Sequence, residues 1–170
     1  MTGSRVKLPE NAGDDPVSGS ALALQPEALA AFNQLYGTLW SRGVLDHPSK
    51  EVARLRNARK TNCVFCKNVR FSQARSDGLE ESQVEHIRDG YEGSDLSARQ
   101  KLILRYTDVF LDDPHAVDAS LKQAMRDEFS AEEIVELTAG LALFMGFSKI
   151  AVSLGGMPES LPTFEMPTPA

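Results

Sequence analysis

The stretch EVARLRNARKTNCVFC, residues 51–66, ends with both cysteines of the 170-residue chain, Cys63 and Cys66, which stand three positions apart. Residues at positions i and i+3 share one face of a helix, so the two sulfurs come within reach of a disulfide bond. A secreted disulfide-stabilised domain would carry more cysteines, spread along the chain. The spacing therefore predicts redox chemistry, and the alternative is that both thiols are small buried core side chains.

Positive charge surrounds the predicted thiol pair. A cap at Thr61 or Asn62 would place Cys63 in the first turn of a helix, where the positive end of the helix dipole lowers the pKa of a thiol. Lys67 and Arg70 follow in the sequence, and Arg70 lies one turn after the second cysteine on a similar face. Because a thiolate is the attacking species, this is the setting that a reactive pair requires.

Glu51 lies twelve residues before Cys63. On one straight helix the two would be about 18 Å apart, so they meet only if the chain turns near residues 60–62. Taken alone, Glu51 is predicted to be a solvated carboxylate that stabilises a helix N-terminus. A zinc site is disfavoured because no histidine stands in a recognisable ligand spacing with the cysteines.

The composition predicts one domain between two irregular ends. Hydrophobic residues make up 42% of the chain, which is enough for a buried core at this length. Residues 1–25 are predicted to form a flexible arm, and residues 156–170 a proline-rich tail. Between them, residues 26–155 show apolar positions at a helical period and no convincing alternating strand, which predicts an all-α domain.

Several helix starts are marked in the sequence. Pro26 precedes an apolar face, Pro48 suits a first helical turn, and Ser130 can form a capping box with Glu133. The helix that follows Ser130 has apolar stripes on both sides as far as Leu154, so it should be buried almost all round, centrally or between subunits. Its apolar run is short for a membrane span, and a core helix is favoured.

Glu51, eleven intervening residues and the CxxC pair resemble the core motif of the carboxymuconolactone decarboxylase superfamily. More narrowly, they are similar to its alkyl hydroperoxidase D (AhpD) branch, as is the helical pattern from about Leu29 to Leu154, which covers most of the chain. CxxC alone is a weak signal, and the upstream glutamate makes it fairly specific. The resemblance implies a single AhpD-like helical bundle that assembles into homo-oligomers.

The resemblance also implies roles for the site residues. Cys66 would attack a hydroperoxide and become a sulfenic acid, and Cys63 would then close the disulfide. Glu51 would orient the site or handle protons. A dithiol donor, such as a lipoyl group on a partner protein, would reduce the disulfide. The helix dipole alone would instead favour Cys63 as the nucleophile.

The chain departs from the family pattern at Arg70, where the family usually has histidine, and at Phe65, where it often has tyrosine. Histidine takes and returns a proton near neutral pH, whereas arginine stays charged. Arg70 could still hold Cys66 as a thiolate or bind an anionic substrate group. This suggests the hypothesis that Arg70 replaces a proton relay by electrostatics.

The favoured function is a thiol-dependent oxidoreductase that acts on hydroperoxides or disulfides and needs no metal or organic cofactor. One alternative is a lyase for a small carboxylated ring compound, although such chemistry does not need a CxxC pair. Another is a non-enzymatic redox sensor or scaffold. The net charge of −6 disfavours nucleic acid and anionic lipid as partners. The N-terminus shows no basic start followed by an apolar run, which favours a cytoplasmic location.

Overall fold

The computed structural model describes residues 4–7, 21–155 and 158–169 of the chain. Over these residues the architecture is all-α, as predicted, with one short parallel sheet and three single-turn 3-10 helices. The helices of the bundle are α1 (Pro26–Ser41), α2 (His47–Lys60), α3 (Val64–Asn68), α4 (Ser72–Ser76), α5 (Glu81–Glu85), α6 (Ala98–Asp112), α7 (Ala119–Glu128) and α8 (Ala131–Leu154).

The central helix of the bundle is α2, which packs against both α6 and α8. Asp46 caps its N-terminus by accepting a hydrogen bond from the backbone N–H of Ser49, and Pro48 lies in its first turn as predicted. The helix ends at Lys60, and the chain then reverses through Asn62, which has a left-handed φ of 54°. This reversal is the predicted turn that brings the thiol segment back towards the start of α2.

The longest helix, α8, begins with the predicted capping box between Ser130 and Glu133. Among the described helices it alone is long and apolar enough to cross a membrane, a composition that core helices of soluble proteins share. Leu137, Leu141 and Phe144 bury their side chains in the bundle. In this fold α8 therefore acts as a core helix on one face. It is not buried almost all round as predicted, because its outer face, which includes Val135 and Val152, is exposed in the single chain.

The small sheet is a feature that the sequence pattern did not indicate. Strand β1 (Val69–Phe71) pairs in parallel with β2 (Phe164–Met166), with Val69 opposite Phe164. Part of the proline-rich tail is therefore an ordered strand. Of the predicted arm, residues 1–3 and 8–20 lie outside the described part, while Ala21–Leu24 forms a 3-10 helix. The predicted domain boundaries stay a prediction.

Candidate active site

Cys63 and Cys66 are joined by a disulfide, with their Cα atoms 5.2 Å apart. The segment differs from the prediction in its cap, because neither Thr61 nor Asn62 caps α3. Cys63 itself is the N-cap residue, and its sulfur accepts a hydrogen bond from the backbone N–H of Cys66 at 3.3 Å. Thr61 instead ends α2, where its hydroxyl donates to the carbonyl of Asn57. Cys63 therefore precedes the first turn of α3 rather than lying within it.

The two sulfurs differ in their access to a cavity of about 370 Å³. Cys66 lines this cavity and is 7% exposed, whereas Cys63 is fully buried behind it at 0%. A molecule that enters the cavity therefore meets Cys66 first. This arrangement supports Cys66 as the attacking thiol and Cys63 as the resolving one.

The cavity wall is rich in aromatic side chains and comes from α1, α2, the segment of α3 and β1, α8 and the C-terminal segment. Phe65 lies between the two cysteines and packs against Phe164 of β2, with ring centroids 5.5 Å apart. The C-terminal segment that follows β2 continues over the cavity. The apolar lining consists of Phe32, Tyr36, Phe65, Val69, Phe71, Phe144, Phe147, Met166, Pro167 and Pro169. Such a site suits a molecule with an apolar body and few polar groups.

Glu51 is buried, contrary to the expectation of a solvated carboxylate, and it is 1% exposed. Both of its oxygens accept hydrogen bonds of 2.6 Å from the guanidinium of Arg54. A charge removed from water requires a close opposite charge with good geometry, and the Arg54 guanidinium provides it. Glu51 Oε1 also accepts the backbone N–H of Phe71 at 3.4 Å.

Arg54 is the residue that connects Glu51 to the thiol segment, and sequence reasoning missed it. Its Nη1 donates to the carbonyl of Cys66 at 2.7 Å, and its Nη2 donates to the carbonyl of Val69 at 2.8 Å. Burial alone would lower the pKa of Arg54, but the Glu51 carboxylate raises it, so the guanidinium stays charged. Glu51 is thus connected to the backbone of Cys66 through Arg54.

Arg70 is directed towards α5 rather than towards the sulfurs. Its Nε and Nη2 donate to the carboxylate of Glu81 at 2.9 and 2.7 Å. Its Nη1 donates to the carbonyls of Lys67 and Val69. The hydrogen bonds from Arg70 to Glu81 hold the pKa of the Glu81 carboxyl below its usual range. The structure does not bring the Arg70 guanidinium together with Cys66.

A second polar group of the site is formed by Ser148 of α8 and Asn57 of α2, which sequence reasoning also missed. Ser148 Oγ lies 3.6 Å from Cys66 Sγ and is oriented to donate to it. Asn57 Nδ2 in turn donates to Ser148 Oγ at 3.1 Å. Both side chains are buried and both line the cavity. Ser148 thus places a hydroxyl beside the sulfur that faces the cavity, and Asn57 lies behind that hydroxyl.

Two other titratable residues near the site have different roles. Tyr36 lines the cavity, and burial raises the pKa of its hydroxyl, so it stays protonated at physiological pH. His47 lies at the start of α2, where burial and Lys50 lower the pKa of its imidazole. It does not line the cavity, so it does not supply the histidine that the family motif would have. Within the described ranges, no three His, Cys, Asp or Glu residues group together as a metal site would require.

Comparison with known sequences identifies relatives without an assigned function. No model of a known protein family matches the chain. Two uncharacterized proteins, from two strains of Mycobacterium tuberculosis, are each 32% identical to it over 126 residues. The match covers 74% of this chain and 44% of each relative, so the chain spans less than half the length of these relatives.

Solved structures with a similar fold are AhpD-like. A peroxidase-related protein from Ralstonia eutropha with an alkylhydroperoxidase AhpD core aligns with a TM-score of 0.76 at 20% identity, covering 92% of both chains. A protein of unknown function from Agrobacterium tumefaciens, provisionally called antioxidant defence protein AhpD, aligns at 0.71 and 22% identity, covering 91% of this chain and 97% of its own.

The fold and the CxxC disulfide together define an AhpD-like helical protein with a thiol pair at a cavity. The predicted AhpD-like helical fold is therefore confirmed.

Proposed function

We propose that this protein is a thiol-dependent oxidoreductase that reduces organic hydroperoxides through Cys66 and Cys63. The observation that carries the proposal is the unequal placement of the two sulfurs. Cys66 faces an apolar cavity, and Cys63 is buried within bonding distance behind it. A peroxidase with a resolving thiol needs one sulfur that the substrate reaches and a second that reaches only the first.

The reaction proceeds in two steps. The Cys66 thiolate attacks the terminal oxygen of the hydroperoxide, the O–O bond breaks, and the alkoxide takes up a proton from water to leave as the alcohol. Cys66 is then a sulfenic acid. The Cys63 thiolate attacks this sulfur, forms the disulfide and expels hydroxide, which becomes water on taking up a proton. Two electrons pass from the dithiol to the hydroperoxide.

The cycle requires a reductant for the disulfide. We assign this role to a dithiol of the lipoyl type on a partner protein, or to another dithiol donor. If the substrate is a disulfide instead of a hydroperoxide, the reduced Cys63 and Cys66 would be the thiols that reduce it. We also propose a homo-oligomer that works in the cytoplasm. The exposed apolar side chains Leu35, Val135 and Val152 on α1 and α8 support association between copies.

The test is the reaction of the reduced protein with cumene hydroperoxide, followed by counting free thiols and mapping disulfides. We expect two thiols per chain to be lost with formation of the Cys63–Cys66 bond, and continued turnover when dihydrolipoamide is supplied. Cys66→Ser should abolish the reaction. Cys63→Ser should allow one round that stops at the sulfenic acid. The two single variants are matched controls because each retains one thiol.

Other outcomes of this test separate the competing functions. Loss of two thiols without turnover, accompanied by a change of mass in solution, would support a redox sensor or scaffold. No loss of thiols would contradict the peroxidase and leave the lyase interpretation or a structural role for the pair.

A further inference from the structure

The Asn57–Ser148 pair presents a polar path to Cys66 in a cavity that is otherwise mostly apolar. The path runs from Asn57 Nδ2 to Ser148 Oγ at 3.1 Å, and from Ser148 Oγ to Cys66 Sγ at 3.6 Å. Burying two polar side chains is costly unless they are hydrogen-bonded. Their position next to the cavity-facing sulfur points to a role in the site.

The direction of these hydrogen bonds follows from the number of protons available. A serine hydroxyl has one proton. Because Asn57 donates its own N–H to Ser148 Oγ, the Ser148 proton is free to point at Cys66 Sγ. A hydroxyl that donates to a thiolate favours the charged form of the sulfur. In this structure the Ser148 hydroxyl faces a disulfide sulfur. In the reduced protein the same hydroxyl would stabilise the state in which Cys66 attacks.

Asn57 Oδ1 is the second observation. It is buried and has no hydrogen-bond partner among the described residues. A buried carbonyl oxygen without a partner carries a desolvation cost, which a donor from a bound ligand would remove. Asn57 lines the same cavity as Cys66. A donor group on a molecule that occupies the cavity would supply such a partner.

We propose that Ser148 is the hydrogen-bond donor that holds the Cys66 thiolate, and that Asn57 receives the O–H of an uncharged organic hydroperoxide. The second half rests on the function proposed above. With its O–H bound to Asn57, the terminal oxygen lies beside Cys66 Sγ, and the apolar body of the hydroperoxide occupies the aromatic part of the cavity. The electrons and bonds move as in the two steps already given.

Other groups near Cys66 do not duplicate the Ser148 hydrogen bond. The ionisable side chains of its own segment are Cys63, Lys67 and Arg70. From α1 and α2, Tyr36 and Arg54 line the cavity, and Glu51 is bound to Arg54. Arg54 binds the Cys66 carbonyl and is neutralised by Glu51. Lys67 donates to Asn62, and Arg70 pairs with Glu81. The wall contributed by β2 and the segment after it has no titratable side chain in the lining.

The first experiment measures the pKa of Cys66 from the rate of alkylation by iodoacetamide against pH, in a Cys63→Ser background that has one thiol. We expect Ser148→Ala to raise this pKa by about one unit, which is the effect of losing one hydrogen bond to a charged group. Ser148→Thr, which keeps the hydroxyl, should restore the original value. Thr107→Val removes a buried hydroxyl of α6 outside the cavity lining and should cause no shift. Equal pKa values for Ser148→Ala and Thr107→Val would overturn the role of Ser148.

The second experiment measures the rate of sulfenic acid formation with cumene hydroperoxide, at a pH where every variant is fully thiolate. We expect Asn57→Leu to lower this rate roughly tenfold, because one hydrogen bond to the substrate is lost. An unchanged rate would overturn the role of Asn57. If the protein with Asn57 intact does not react at all, the proposed peroxidase function is contradicted, and so is the proposed binding of the hydroperoxide by Asn57. The Ser148 half is decided by the titration alone, which needs no peroxide.

Discussion

Arg54 connects the central helix of the bundle to the thiol segment. It neutralises the buried Glu51 and donates to the carbonyls of Cys66 and Val69. These two carbonyls lie on either side of the end of α3, where no helical N–H is available to them. Together with Arg70, which donates to the carbonyls of Lys67 and Val69, Arg54 thus satisfies the backbone where α3 ends and β1 begins. The position of the cavity-facing sulfur depends on this contact.

We expect Arg54→Met to lower the free energy of unfolding by about 3–5 kcal/mol, because it leaves the Glu51 carboxylate buried without its partner. Glu51→Leu should also lower the free energy of unfolding, because it leaves the Arg54 guanidinium buried without its partner. The double variant should lose less than the sum of the two single losses, because no charge remains buried. Urea unfolding of the four proteins gives the comparison. Additive losses would contradict a direct ion pair.

For Arg70 we expect the opposite of what its sequence position suggested, namely no effect on the thiolate of Cys66. Because its guanidinium is bound by Glu81 and by two backbone carbonyls, Arg70→Ala should leave the thiolate pKa of Cys66 unchanged within a few tenths of a unit. The pKa of Glu81 should rise towards its usual value, because the hydrogen bonds from Arg70 are what lower it. Alkylation against pH measures the first pKa and NMR titration the second. A clear shift at Cys66 would restore the electrostatic hypothesis for Arg70.

At the scale of single elements, the position of α2 depends on its N-cap. The Asp46 carboxylate accepts hydrogen bonds from the backbone and hydroxyl of Ser49, and it pairs with Arg99 at 2.9 Å. Burial would raise the pKa of Asp46, but the hydrogen bonds from Ser49 and Arg99 outweigh it and lower the pKa. The cap therefore stabilises α2 in its ionised form.

The sign of the resulting pH dependence follows from the lowered pKa. The contribution of Asp46 to stability is fully present above its unfolded pKa of about 3.9 and is lost as the pH falls through the lower folded value. Asp46→Ala should lower the free energy of unfolding by about 1 kcal/mol at neutral pH. Asp46→Asn should retain much of the cap and lose this acid dependence. Urea unfolding at pH 7 and at pH 3 measures both, and an Asp46→Asn protein with an unaltered acid dependence would contradict the assignment.

The second element-scale expectation concerns β2, which covers the cavity from outside the helical bundle. Phe164 and Met166 pack on the aromatic cluster around Trp40 and Phe71. Removing residues 162–170 should leave the helical content unchanged and open the cavity at Met166 and the residues after it. The reduced truncated protein should therefore react faster with a bulky maleimide at Cys66. Iodoacetamide is the matched small reagent, and an equal gain in rate with both reagents would indicate general loosening instead of an opened cavity.

The helices were predictable because their signals are local. Pro26, Pro48 and the capping box at Ser130 lie within a few residues of the helix starts that they determine. The disulfide was equally predictable, since Cys63 and Cys66 are three positions apart. Strands β1 and β2 were not, because each has three residues and pairs with a segment far away in the chain. Such pairing depends on tertiary packing rather than on local propensity.

The polar part of the site was only partly visible in the sequence. Glu51, Arg54 and Asn57 recur every three residues on α2, which is a polar stripe on one side of a helix. That stripe was visible in the sequence, but a polar helix face is usually interpreted as exposed to solvent. Burial of the stripe is set by packing against the segment of α3 and β1 and against α8. Ser148 carried no sequence signal, because its partner Asn57 lies 91 positions away.

At the scale of the whole molecule, the fold has to survive repeated opening of the disulfide if the protein is a catalyst. A disulfide stabilises mainly by closing a loop in the unfolded chain, and the effect grows with loop length. The loop between Cys63 and Cys66 is among the shortest that a disulfide closes, with a sequence separation of 3. The larger stabilisation comes from the main core around α2, α6 and α8, which includes neither cysteine.

We therefore expect reduction to lower the free energy of unfolding by no more than about 2 kcal/mol, the entropic value for so short a loop, and to leave the helical content unchanged. Urea unfolding with and without dithiothreitol measures the difference, and circular dichroism measures the helix. The double variant Cys63→Ser/Cys66→Ser is the matched control, because dithiothreitol should not affect it. Unfolding on reduction would show that the disulfide is structural, since a bond that holds the fold together cannot be broken in every catalytic cycle.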